Sequence, residues 1–249
     1  TKTGQLWAYA RDDRPWGGSD PPIVAYVYAP DRKAERPHAH LGDFAGILQV
    51  DGYGGYTALA KRQQQITLAF CWSHVRRKFF DLADKSPVAT EVLQRIAGLY
   101  AVESEVRGTD ADHRRAVRNE HARVIVADLH YYLEARLRQV STKSKLAEAI
   151  RYALSRWDGL TVFLDDGRVE LDTNTVERSI RPLALNRKNA LFAGSDEGGD
   201  NWAVIATLIE NCKIAGINPH TWLTETLTKL AHGHPANGVG DLMPWIDVT

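Results

Sequence analysis

No apolar stretch in this sequence approaches the roughly 18 residues that a membrane-crossing helix needs, which excludes an integral membrane protein. Cysteine is scarce. Cys71 and Cys212 cannot build a disulfide framework, so a reducing cytoplasm is the simplest setting. Net charge is absent too, with 31 basic residues against 31 acidic ones, and that counts against a protein that coats nucleic acid by bulk electrostatics. The phosphate loop GxxxxGK[ST], the dinucleotide loop GxGxxG, the zinc helix HExxH and the nucleophile elbow GxSxG are all missing. Cys71 and His74 have a C-x-x-H spacing, but one such pair provides too few ligands for zinc. Internal repeats and low-complexity linkers are missing as well. The first residues, Thr1 to Trp7, carry no initiator Met and no signal-peptide pattern, and they run almost at once into a strand-like stretch.

What is present is an ordinary globular composition, 44% hydrophobic and 25% charged over 249 residues, enough for one large domain or two small ones. Residues 5–11 (QLWAYAR) and 22–29 (PIVAYVYA) are aromatic and β-branched, and the Gly/Pro-rich stretch between them predicts a hairpin. A short helix is expected around Pro37–Phe44. Gly46–Val50 is a short apolar run ending at Asp51-Gly52, the pattern of a buried strand. That places Asp51 at a strand's carboxyl end, where open α/β sheets bind their ligands. Residues 66–71 read as another strand, followed by a basic amphipathic helix over Trp72–Asp84. From Pro87 to Phe163 apolar residues recur every three or four positions, which predicts helices only. Beyond them the pattern predicts a turn at Asp165–Arg168, a short strand Val169–Leu171 and a helix Thr173–Leu185. A glycine-rich turn at Gly194–Gly199 and helices at Trp202–Ala215 and Thr221–Ala231 complete the reading.

Charge is uneven along this neutral chain. Gly52–Phe80 has no acid but holds Lys61, Arg62, Arg76, Arg77 and Lys78, and Arg178–Ser195 has no acid but holds Arg178, Arg181, Arg187 and Lys188. Such faces suit an enzyme that grips phosphates at one site. They also suit ordinary solvated helix faces. Two acids stand out by setting. Asp51 is followed by glycines that let a substrate backbone come close, although a plain turn acid would look the same. Glu177 shares a helical face with Asn174, Arg178 and Arg181, an arrangement able to hold a divalent metal beside phosphate oxygens. Asn174 followed by Glu177 at the third position also reads as a capping box, which needs no catalysis.

Five ordered blocks, LWAYARDDRPWGG, GILQVDGYGGYTAL, CWSHVRRKFFDLA, DTNTVERSIRPLALNRKNALFAGSDEGG and LIENCKIAGINPHTWL, resemble those of bacterial insertion-sequence-66 family transposases. The resemblance implies a metal-dependent, three-carboxylate (DDE) transposase with an α/β, RNase H-like core. It matches Asp51 to the second catalytic Asp and Glu177 to the catalytic Glu, both as ligands of Mg2+ or Mn2+. Arg76, Arg77, Lys78, Arg178, Arg181, Arg187 and Lys188 become the DNA-contacting set. The family's first Asp lies upstream of the block that begins this chain, so the first core strand is expected to be missing, from a truncated product, a partial gene or a relic. Asp12 and Asp13 do not match it.

The expected layout is therefore an RNase H-like core at 1–86 and 164–204, interrupted by a helical insertion at 87–163 and followed by a C-terminal helical region at 205–249. The expected activity is cleavage and joining of DNA at insertion-sequence ends, with DNA and a homo-oligomer on it as partners and no membrane. An inactive relic that only binds DNA or subunits, and a nuclease of the same fold, are the competing readings. With two of three carboxylates, the chain alone is expected to bind DNA in a salt-sensitive way without cutting it.

Overall fold

A computed structural model describes residues 3–186, 189 and 192–244 of the chain. They form a mixed α/β structure, mostly helical, with two small sheets. The chain divides into two compact units: Pro37–Thr173 together with Pro15–Gly18, and the remainder.

In the second of these units, strands β1 (Gln5–Arg11) and β2 (Ile23–Ala29) pair antiparallel in the predicted hairpin, Trp7 opposite Val27. A lone hairpin is marginal in water, and this one is stabilised by a helix. The described part continues in α9 (Asn174–Asn186), α10 (Asp196–Ile214) and α11 (Pro219–Ala231). Helix α10 covers β2. Val24 and Tyr26 bury against Ala203 and Ala206, and the outer edge of β2 is closed by side chains instead of a third strand. Asn211 accepts from Val24 N (3.0 Å) and donates to Val24 O (2.7 Å), while Thr207 Oγ1 accepts from Tyr26 N (2.9 Å). An exposed strand edge invites aggregation, and this pairing removes it.

The glycine-rich segment expected as a turn contributes the first turns of α10. Ser195 Oγ caps it by accepting from Gly198 N (3.1 Å), and a Cβ on Gly199 would come within 2.5 Å of the Tyr28 ring. Helix α10 therefore begins at Asp196, six residues before the predicted start, and its glycine is a packing requirement.

The larger unit starts from α1 (Glu35–His40), whose first two residues still belong to the hairpin unit, and from β3 (Gly46–Val50). Strand β3 pairs in parallel with β4 (Ile66–Phe70), Val50 opposite Phe70. Parallel neighbours need a crossover, and α2 (Gly54–Arg62) provides it. That helix was not predicted, because Gly54 and Gly55 at its start read as loop. Helix α3 (Trp72–Phe80) leaves the end of β4, shorter than the expected Trp72–Asp84. Then follow α4 (Pro87–Val106), α5 (Ala111–Val117), α6 (Arg123–Leu137), α7 (Lys145–Leu154) and α8 (Trp157–Thr161), with no strand among them, as the 3.6-residue periodicity predicts. Ser86, Asp110 and Ser144 cap α4, α5 and α7 through side-chain bonds to backbone N–H groups. A π-helical turn at Arg118–Ala122 joins α5 to α6. One continuous core runs through this unit, with Trp72, Phe79, Ile96, Leu129, Leu133 and Ile150 among its fully enclosed side chains.

The expected strand Val169–Leu171 is not formed. The segment after α8 takes isolated bonds in place of a ladder: Gln49 Nε2 donates to Glu170 O (2.6 Å), and Trp72 N donates to Leu171 O (2.9 Å). It is fixed from the other side by a buried ionic cluster. Arg118, wholly enclosed, bonds Glu103 (2.7 and 2.9 Å) and the carbonyl of Phe163 (3.0 Å), and Arg114 bridges Glu103 and Glu170. Every charge there has a partner, which is the condition for burying any of them. At Gly167 a Cβ would sit 1.8 Å from Ala111 O, so only glycine fits.

Candidate active site

Strands β3 and β4 end side by side, and the residues just past their last pair are Asp51 and Cys71. Asp51 is exposed. Its Oδ1 accepts from Tyr53 N (3.0 Å), a tight turn that Gly52 completes with φ +92°. Its other carboxylate oxygen makes no hydrogen bond within the described residues. A hard carboxylate oxygen with one lone-pair set uncommitted at a strand's carboxyl end is a suitable donor for magnesium or manganese.

Around Asp51 the walls are basic and aromatic. Helix α3 carries the predicted Arg76, Arg77 and Lys78; the first two are exposed, and Lys78 packs over the ring of Tyr152 at 4.7 Å. Arg156 stacks on the same ring at 4.0 Å. A Cβ on Gly52 would lie 3.0 Å from Tyr152 Oη and 3.2 Å from Arg156 Nε, so these groups border the turn that holds Asp51. Burial pushes the Tyr152 hydroxyl up, partly countered by Arg156 and reinforced by the charges of Asp51 and Cys71.

Cys71 is buried and bonded on several sides. Its sulfur lies 3.0 Å from Ser73 Oγ and accepts from Thr173 N (3.3 Å). Burial pushes its thiol up, but hydrogen bonds to His74, Ser73 and Thr173 outweigh it and hold the pKa below the ordinary value. The bond from Thr173 N to this sulfur anchors the backbone there, and Thr173 is the residue immediately before α9. Next to it Asp172 accepts from Tyr100 Oη (3.3 Å), whose pKa is raised, first by burial and then by Asp172.

Glu177 lies in the first turn of α9, in the hairpin unit. Glu177, Arg178 and Arg181 are exposed, on the shared face that their spacing predicts. Arg178 Nη2 reaches Thr175 Oγ1 at 3.4 Å. Asn174 is the first helical residue, whereas a capping box would leave it just outside the helix. Arg187 and Lys188 lie outside the described residues. Thus Asp51, Arg76, Arg77 and Lys78 share one unit, and Glu177, Arg178 and Arg181 share the other. Asp12 is engaged elsewhere, with Arg14 (2.8 Å).

Sequence reasoning missed Tyr152, Arg156 and Tyr100. Tyr100 and Tyr152 sit inside α4 and α7, where an aromatic at helical spacing reads as packing, and Arg156 lies in the turn between α7 and α8. The one available signal was the four-residue spacing of Tyr152 and Arg156.

Residues 1–201 match the family described as "Transposase IS66 family", and residues 207–245 match the "IS66 C-terminal element". Two uncharacterized proteins of Sinorhizobium fredii, y4qI and y4jD, are 51% and 42% identical to the chain over 98% of its length. Those alignments cover 47% and 50% of the relatives, so the chain spans about half their length. No solved structure matches it. With the family's two signatures running through both units, the chain belongs to the IS66 family of transposases.

Proposed function

We propose that this chain forms the catalytic portion of a DDE-type transposase with an RNase H-like core, acting on the DNA ends of an insertion sequence. The observation that carries the reading is Asp51: an exposed carboxylate at the end of a parallel strand, one oxygen uncommitted, with the Arg156 guanidinium bordering its turn. Asp51 and Glu177 are the residues that would hold magnesium or manganese, with the third acid of the set supplied from elsewhere in the whole transposase. The bound metal supplies charge neutralisation at the phosphate and a nucleophilic oxygen for in-line displacement.

The protein's own residues orient the strand. Arg76 and Arg77 on α3, and Arg178 and Arg181 on α9, present exposed guanidinium groups that pair with phosphate oxygens in a fork. Arg187 and Lys188 extend the basic stretch beyond α9 in sequence. Thr173, held by Cys71 and preceded by the pinned segment 163–172, is the residue before the Glu177 helix in sequence. Cleavage followed by joining, carried out by a homo-oligomer on DNA, is the activity that this arrangement serves.

The test uses the full-length transposase in a strand-cleavage assay with Mg2+ or Mn2+. Asp51→Asn and Glu177→Gln should each lower cleavage by more than about a hundredfold, since loss of an outer partner to a metal ligand alone costs up to that much. Wild-type cleavage by either variant would overturn the assignment.

A further inference from the structure

Several arginines of the larger unit are spoken for. Arg95, Arg107, Arg114, Arg118 and Arg123 each bond a carboxylate. Lys78 and Arg156 do not: neither forms an ion pair within the described residues, although both are half-buried. Arg156 Nη1 has only the Tyr152 carbonyl (3.3 Å) and Ser155 Oγ (3.1 Å). Both cations nevertheless pack against one ring, Tyr152, Lys78 from α3 and Arg156 from the turn before α8. An aromatic ring attracts each cation and so fixes its place, but it cancels none of their mutual repulsion. Two half-desolvated like charges that share one ring, and that neither Asp51 across the turn nor Asp158 in the groove meets within ion-pair distance among the described residues, favour a further anion. The position says which one. Arg156 borders the Asp51 turn on one side, and on the other it lines a groove with Lys61, Thr57, Phe70, Trp157 and one acid, Asp158.

We propose that Lys78, Tyr152 and Arg156 form a phosphate clamp for the DNA strand that is cut at Asp51, the two cations binding consecutive backbone phosphates and Tyr152 acting as the positioning residue between them. This extends the DNA-processing reading and rests on it. It gives the helical segment after Pro87 a part in substrate binding, since Tyr152 and Arg156 come from it.

The experiment titrates the full chain against fluorescein-labelled oligonucleotides of mixed sequence, single-stranded and duplex, at several salt concentrations. Thermal melting confirms that each variant is folded. Lys78→Gln and Arg156→Gln should each weaken binding several-fold and reduce the slope of log affinity against log salt by about 0.7–0.9, the signature of one lost phosphate contact. Arg115→Gln, which removes a cation of α5 already paired with Asp112, should leave that slope unchanged. Tyr152→Phe keeps the ring and should bind like the wild type, whereas Tyr152→Leu should bind as weakly as a cation variant. Salt-dependent wild-type binding with slopes unchanged in Lys78→Gln and Arg156→Gln would overturn the clamp and leave the DNA reading standing. Failure of Tyr152→Phe to bind better than Tyr152→Leu would overturn the role of the ring. Wild-type protein that binds neither oligonucleotide at low salt would remove the DNA reading and the clamp together.

Discussion

The two units of this chain are built on different terms. Pro37–Thr173 has an extended core, capped helices and a buried ionic cluster with every charge answered. The hairpin unit has a small cluster around Val24 and Tyr26, while α9 and α11 bury no residue at all. Large apolar side chains at Val204, Ile205, Leu223 and Leu227 are left exposed there, whereas the larger unit exposes few. Order in the first unit is therefore set by its own packing. The second depends on a few specific bonds between α10 and one strand edge. Asp51 sits in the unit of the first kind and Glu177 in the unit of the second kind, so the two acids differ in how firmly their own elements are held.

Mutations can break this contrast or sharpen it. The largest effect is expected from Arg118→Ala, which leaves Glu103 buried beside a single arginine and orphans the carbonyl of Phe163. A cost of about 3–5 kcal/mol should appear as lost hydrogen-exchange protection through α4 to α6. Retained protection would mean that the ionic cluster is dispensable. Asn211→Ala should cost about 1–3 kcal/mol, because Val24 N and O lose their partners at a buried edge, and the loss should register in β1, β2 and α10. Leu227→Gln should change stability by less than about 0.5 kcal/mol, since its side chain is mostly exposed; a larger loss in urea would show that α11 is held by packing after all.

The smallest effect concerns pH. Hydrogen bonds from Arg36 and Lys33 hold the Asp31 carboxyl down at about 2, below its ordinary 3.8. A depressed acid stabilises the folded state above its unfolded pKa, and this contribution is lost as pH falls from about 4 toward 2. Because Asp31 is solvated, the change should be visible in its NMR titration and barely in melting temperature. A midpoint near 4 would remove the contact.

The hairpin, both parallel strands and the helices after Pro87 were legible because each carries a single hydrophobic period with turn residues at its ends. Helix α2 was not, since Gly54-Gly55 hid its start, and neither was the true start of α10, whose glycine is required by Tyr28 on a distant strand. The missing strand at Val169–Leu171 shows the reverse error: a β-like composition whose backbone bonds go to Gln49 and Trp72 instead of a neighbouring strand. Within the candidate site, Asp51 could be picked out because a strand followed by glycine makes an acid conspicuous. The basic helix α3 was visible as a run without acids. Tyr152 and Arg156 offered only their four-residue spacing, which does not distinguish a ring that orders two cations from one that fills a core.

The π-helical turn at Arg118–Ala122 has a consequence for how this protein tolerates insertions and deletions. A π turn holds one residue more than the α turn that it replaces, so the rod from Ala111 to Leu137 changes angular phase at that point. Upstream, Arg114 and Arg118 face the acids; downstream, Val126, Leu129 and Leu133 face the apolar core. Removing one residue here would leave a smoother helix, yet it would turn one of those faces by about 100° toward solvent. A sequence change that regularises local geometry would in this rod dismantle the core, and length is therefore more tightly constrained across 118–122 than in the loops at either end of it.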